Sequence, residues 1–151
     1  MKNYILLQFY EWSSWFYIRY FRKNKPWNIN SRELLFYPQQ SLGFHLRCFH
    51  LKYELEMKPN LEGHDIIHVL TDIGISVPDE VALQYYLLGN GKRSSYQFLA
   101  LTAGTLFYPT HFKAFIKQYK RGKAAHRFYD LPFEKMLLQP VENIKSTFNI
   151  N

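Results

Sequence analysis

The sequence predicts an all-α fold: a single compact multi-helix domain preceded by an amphipathic N-terminal helix. Three observations carry this. First, Gly63–Thr71 places His64 and His68 a turn apart, with Ile66, Ile67, Val69 and Leu70 as a packing surface. Second, Ser76-Val77-Pro78-Asp79 has the chemistry of a helix start. Ser76 can cap, Pro78 is tolerated in the first turn, and Asp79 completes a capping-box pair. Third, helix-length runs follow at 79–88, 94–107 and 110–121, each bounded by turn or capping residues.

Taken in order, residues 1–27 form the amphipathic, aromatic helix and residues 28–151 a helical domain that carries the histidine motif. From Tyr4 to Phe21 the chain is almost all apolar and aromatic. Gln8, Glu11, Arg19 and Arg22 fall on one narrow face of a helical wheel. Trp12 and Trp15 beside Arg19, Arg22, Lys23 and Lys25 suit a membrane interface. A core helix or a homodimer contact is the alternative. Glu11 and Arg19 interrupt the run, which argues against a membrane span. The basic residues follow the apolar run, the reverse of a signal peptide.

Pro26 to Pro38 reads as a linker with a short helix at 32–37. Residues 42–57 fit two periods. Leu42, Phe44, Leu46 and Cys48 alternate as in a strand, while Leu42, Leu46, Phe49, Tyr53 and Met57 make a helical stripe. His45 and His50 lie there and read as polar surface. Gly74 is the expected stop of the motif helix. Residues 79–88 form the next helix, closed by Gly89-Asn90-Gly91. Residues 94–107 form another, with Gly104 inside it. Thr110 caps a helix to Arg121, which Gly122 ends. Lys117, Lys120 and Arg121 crowd that C-terminus. They suit the helix dipole and are candidates for a phosphate or anionic headgroup. Asp130 starts a short helix, and Pro140 the last.

The chain has 151 residues, a net charge of +7 and 19% aromatic residues. That length makes one domain with a real core. A basic, aromatic chain can bind nucleic acid or sit on an anionic membrane; the N-terminal pattern favours the membrane, and no nucleic-acid partner is expected. Cys48 is the single cysteine, so no intrachain disulfide forms, and a reducing compartment follows.

Chemistry concentrates in His64, Asp65, His68 and Glu80. At about 100° per residue, His64 and His68 share one helix face about 40° apart, and Asp65 flanks it. Glu80 returns in the first turn of the next helix. Two nitrogens and up to two carboxylates suit a divalent ion, zinc first, with an open coordination position. Structural roles compete: Asp65 can pair with His68, and Glu80 favours its own helix N-terminus. A zinc protease would need Glu at position 65, and an H-D phosphohydrolase would need further His-Asp context, which His111 and His126 lack. No phosphate-binding loop or dinucleotide fingerprint is visible.

The pattern H-D-x-x-H, eleven residues, then E resembles the signature of the coenzyme Q (ubiquinone) biosynthesis protein 4 family. His68-Val69-Leu70-Thr71, Tyr37-Pro38-Gln39-Gln40-Ser41-Leu42-Gly43, Tyr119-Lys120-Arg121-Gly122 and the segment from Phe133 to Val141 resemble it too, so the similarity spans about residues 35–150. It implies an all-helical fold, which resolves residues 42–57 as a helix. It also implies that His64, Asp65, His68 and Glu80 hold the ion and form the catalytic site. The implied activity is removal of the C1 carboxylate from a polyprenylated benzoate precursor with oxidation of that ring carbon. A non-catalytic prenyl-lipid-binding scaffold that organises other quinone-biosynthesis proteins is the alternative, with a metal-dependent hydrolase behind it. A prenyl tail is expected between the motif helix and the helices of residues 79–88 and 94–107. The expected location is the cytoplasmic face of a bacterial inner membrane.

Overall fold

In the computed structural model, residues 25–151 are described, and every regular element among them is helical. The membrane-interface residues Trp12, Trp15, Arg19, Arg22 and Lys23 lie outside them; Lys25 is exposed. Trp27 and Ile29 pack against the core, and the Trp27 amide donates to the buried Glu62 carboxylate at 3.1 Å. The expected linker is thus docked. A short 3-10 turn, Glu33–Phe36, buries Leu34.

Helix α1, Leu42–Lys52, is capped by Ser41, whose hydroxyl accepts from the Phe44 amide. Its first turn is tied to the C-terminal segment by backbone bonds from Leu42 to the Gln139 carbonyl and from Gly43 to that of Leu137, both 2.8 Å. The helix ends at Lys52, not at 57. Glu54 turns to φ 54, and the Leu55 amide closes back on the His50 carbonyl at 2.8 Å. That six-to-one bond is a Schellman-type stop.

Helix α2, Glu62–Thr71, buries Ile66, Ile67 and Leu70. Asp72, not Gly74, takes the left-handed terminating conformation, at φ 56. Aspartate tolerates that region because its short polar side chain can bond locally or, as here, to a cation. Lys145 is its partner. Gly74 instead makes room for Asp79: a Cβ there would meet the Asp79 carboxylate at 2.6 Å.

Helix α3, Val77–Gly89, carries the full capping box, with Ser76 and Asp79 each bonding the other's backbone. Helix α4, Ser95–Phe107, starts at the Ser94 cap. After a 3-10 turn at Pro109–His111 comes α5, Phe112–Ala124. It runs through Gly122 rather than ending there. Gly89 and Gly122 are where α3 and α5 touch backbone to backbone. A Cβ on Gly122 would fall 1.9 Å from the Tyr86 carbonyl oxygen, and one on Gly89 2.1 Å from that of Tyr119. Gly104 instead lets α4 close on the Val81 side chain, whose Cγ2 a Cβ would meet at 2.3 Å. Asn90 locks the joint. Its amide donates to the Gly122 and His126 carbonyls and accepts from the Phe128 and Tyr129 amides. A 3-10 turn, Phe133–Met136, and α6, Val141–Phe148, complete the described chain.

The core runs through Leu42, Leu46, Ile66, Leu70, Leu83, Leu87 and Phe128. Helix α4 is apolar on nearly every side, yet Phe98, Leu99, Leu106 and Phe107 face solvent, Leu106 at 75% exposure. No helix among the described residues is long and apolar enough to cross a membrane.

Candidate metal centre

Helix α2 aims His64 and His68 at one point, and the capping box starts α3 where Glu80 meets them. The Glu80 carboxylate spans both rings, Oε1 at 3.2 Å from His68 Nε2 and Oε2 at 3.3 Å from His64 Nε2. The two Nε2 atoms are 3.1 Å apart. Ligand atoms of the three residues lie within 4.8 Å of one another. Coordination bonds of about 2.0–2.2 Å set donor–donor edges of roughly 2.8–3.6 Å in tetrahedral or octahedral shells. The spacing therefore fits a first-row divalent ion without choosing among them.

His68 is prepared for this role. It is buried, and its Nδ1–H donates to the Ile73 carbonyl at 3.0 Å. In the neutral ring that bond leaves the Nε2 lone pair facing His64 and Glu80. Phe49 of α1 stacks on the ring, centroids 5.7 Å apart. Burial alone would lower the His68 pKa. The Glu80 hydrogen bond and charge, the Ile73 carbonyl and the Asp65 charge outweigh it and raise the pKa. Burial would likewise raise Glu80, but the charges and hydrogen bonds of His64 and His68 hold its carboxyl well below the usual range.

Asp65 is not drawn into this group. Its carboxylate turns toward α1 and accepts from His50 Nε2 at 2.8 Å. His50, expected on the polar surface, is fully buried. The signal was present: positions 42, 46, 49 and 50 form one helical stripe, and His50 completes it. His45 is exposed, as expected.

The basic cluster on α5 splits. Lys117 and Lys120 are exposed. Arg121 turns inward, donating to the Thr71 carbonyl, to Gln118 and to the carbonyl of Asn151, and lies over the Tyr86 ring. It ties α5 to the end of α2, which is a structural task.

A cleft of about 250 Å³ opens beside His68. It lies between α1 and α2, lined by His45, Cys48, Phe49, Lys52 and Tyr53 among others. The apolar pocket expected from the sequence would face α3 and α4, whereas this cleft faces α1.

A family model for coenzyme Q (ubiquinone) biosynthesis protein Coq4 matches residues 53–151. The matched stretch contains the whole metal motif and begins downstream of the Tyr37–Gly43 segment. No curated protein matches the chain at the significance required. Among solved structures, a crystal structure from Nostoc punctiforme PCC 73102, described as a candidate ubiquinone biosynthesis protein, is similar in fold. Its TM-score is 0.67 at 21% identity, covering 83% of this chain and 70% of that one. With the family model spanning most of its length and the metal motif within it, the chain belongs to the coenzyme Q (ubiquinone) biosynthesis protein Coq4 family, and its role lies in ubiquinone biosynthesis.

Proposed function

We propose that this chain is a metal-dependent enzyme that removes the C1 carboxylate of a polyprenylated benzoate precursor and oxidises that ring carbon, working at a membrane surface. The observation that carries the reading is the convergence of His64, His68 and Glu80 on one ion-sized point. When bound, a divalent ion supplies Lewis-acid polarisation of a carboxylate or hydroxyl on the ring. His64, His68 and Glu80 would hold it, and the His68 bond to Ile73 keeps one nitrogen directed at it. In the net reaction the ring loses carbon dioxide and gains one oxygen of dioxygen as hydroxyl. The other oxygen leaves as water, using two electrons and two protons from an external reductant.

Two features support an apolar, surface-held substrate. Phe98, Leu99, Leu106 and Phe107 on α4 are exposed apolar side chains that the core does not use. The aromatic and basic residues of the N-terminal segment suit an anionic headgroup layer. The proposed location is the cytoplasmic face of a bacterial inner membrane, with the prenyl tail in the lipid or against α4.

The same exposed α4 side chains favour a second reading, a scaffold that binds prenyl lipid and gathers other quinone-biosynthesis proteins, with the metal as a structural element. One experiment separates the two. Metal-loaded protein in vesicles is given a prenylated hydroxybenzoate, dioxygen and a reductant, and carbon dioxide release is followed. Release that disappears in Glu80→Gln supports the enzyme. Tight binding of the lipid without turnover supports the scaffold.

A further inference from the structure

We propose that His50 is a positioning residue of the metal centre, acting through Asp65. This rests on the metal reading above. His50 sits on α1, outside the H-D-x-x-H motif, and is fully buried. Its Nε2 lies 2.8 Å from Asp65 Oδ2, a bond in which the ring N–H donates to the carboxylate. Its other nitrogen, Nδ1, is buried with no hydrogen-bond partner among the described residues. A buried ring nitrogen without a partner is costly, and an apolar ring would fill the same space without that cost. The polar work of this side chain is therefore its bond to Asp65.

That bond has a defined consequence for the centre. Asp65 precedes His68 by three positions on α2, which makes the two neighbours on the helix surface. The group of ligand atoms within 4.8 Å comprises His64, His68 and Glu80; Asp65 stands outside it. His50 holds one oxygen of Asp65 against α1. That bond fixes the orientation of the carboxylate on α2. The neighbouring Phe49 stacks on His68, so consecutive residues of α1 brace two members of the motif. Outer partners of this kind tune affinity by orientation and charge.

The test is metal affinity, read with zinc against a competing chelator and with cobalt(II), whose visible spectrum reports the coordination shell. His50→Phe keeps the shape and loses the donor. His50→Gln places an amide N–H about where Nε2 was, and His50→Asn is too short to reach Asp65. We expect affinity to fall about tenfold to a hundredfold in His50→Phe and His50→Asn. His50→Gln should stay within about threefold of the parent. In an Asp65→Ala background, adding His50→Phe should change nothing further, because His50 acts through that carboxylate. Should His50→Phe fail to fold, the Asn and Gln pair decides alone. Parental affinity in Phe or Asn, or an equal loss in the Asp65→Ala background, would overturn the role of His50 while leaving the metal site standing. A parent chain that takes up neither zinc nor cobalt would instead overturn the metal reading, and His50 with it.

Discussion

Gly122→Ala probes the joint that carries Glu80. The new methyl would fall 1.9 Å from the Tyr86 carbonyl oxygen and 2.8 Å from its carbon. Both obstacles are backbone of α3, so no side chain can rotate aside. To reach ordinary contact the helices must separate by about 1.5 Å, from 1.9 Å to 3.4 Å. Overpacking of this kind costs about 1–3 kcal/mol, and with rigid backbone as the obstacle the upper end, about 3 kcal/mol, applies. Removing glycine from a helix interior returns about 1 kcal/mol. A net loss of about 2 kcal/mol remains, which for a chain of this size lowers Tm by roughly 4–8 °C. The Asn90 bond to the Gly122 carbonyl, 3.2 Å long, would stretch in the same movement. Because α3 moves, Glu80 moves with it, and metal affinity should fall as well. Thermal unfolding by circular dichroism, repeated in urea, measures the first effect and chelator competition the second. A Gly122→Ala protein that melts at or above the parent would refute the backbone contact between α3 and α5.

Purified protein should bind about one divalent ion, and His64→Ala with His68→Ala should abolish it, since too few ligands remain; elemental analysis after dialysis decides, and unchanged metal content would remove the site. The metal-free protein should be most stable in weak acid. Glu80 is held below its ordinary value of 4.5, so its contribution is present above that value and fades as pH falls towards the depressed one. His68 is raised above 6.5, so its contribution is complete below 6.5 and is lost as pH rises through the raised value. Metal affinity should run the other way and strengthen as pH rises, because binding displaces the His68 proton; a flat affinity between pH 6 and 8, by buffer-matched titration, would contradict this. Full-length protein should sediment with anionic vesicles, less at high salt and less when Arg19, Arg22, Lys23 and Lys25 become Gln. Absence of vesicle binding at low salt would assign the N-terminal segment to the core or to a dimer instead.

What the sequence determined by itself was local. The capping box at Ser76 and Asp79 was legible because it is closed by residues three apart, and it places Glu80 in the first turn of α3 without reference to the rest of the chain. His64 and His68 shared a face because helical pitch dictates it. Periodicity left residues 42–57 open between strand and helix, and the family resemblance settled them as helix. What only the tertiary structure decided was long-range. Asp65 reads as a ligand because it lies beside His64, and the tertiary structure adds a partner fifteen residues upstream that holds one oxygen of its carboxylate. Arg121 looked like part of a surface cluster, but carbonyls at Thr71 and Asn151 draw it inward. Gly122 read as a helix stop, although its purpose is to let Tyr86's backbone approach. Gly74 read as the stop of α2. Asp72 ends α2 instead, with Lys145 of α6 meeting its side chain across the fold. Spacing along one helix specifies which side chains share a face. Which of them meets the ion, and which meets another helix, depends on how the helices pack.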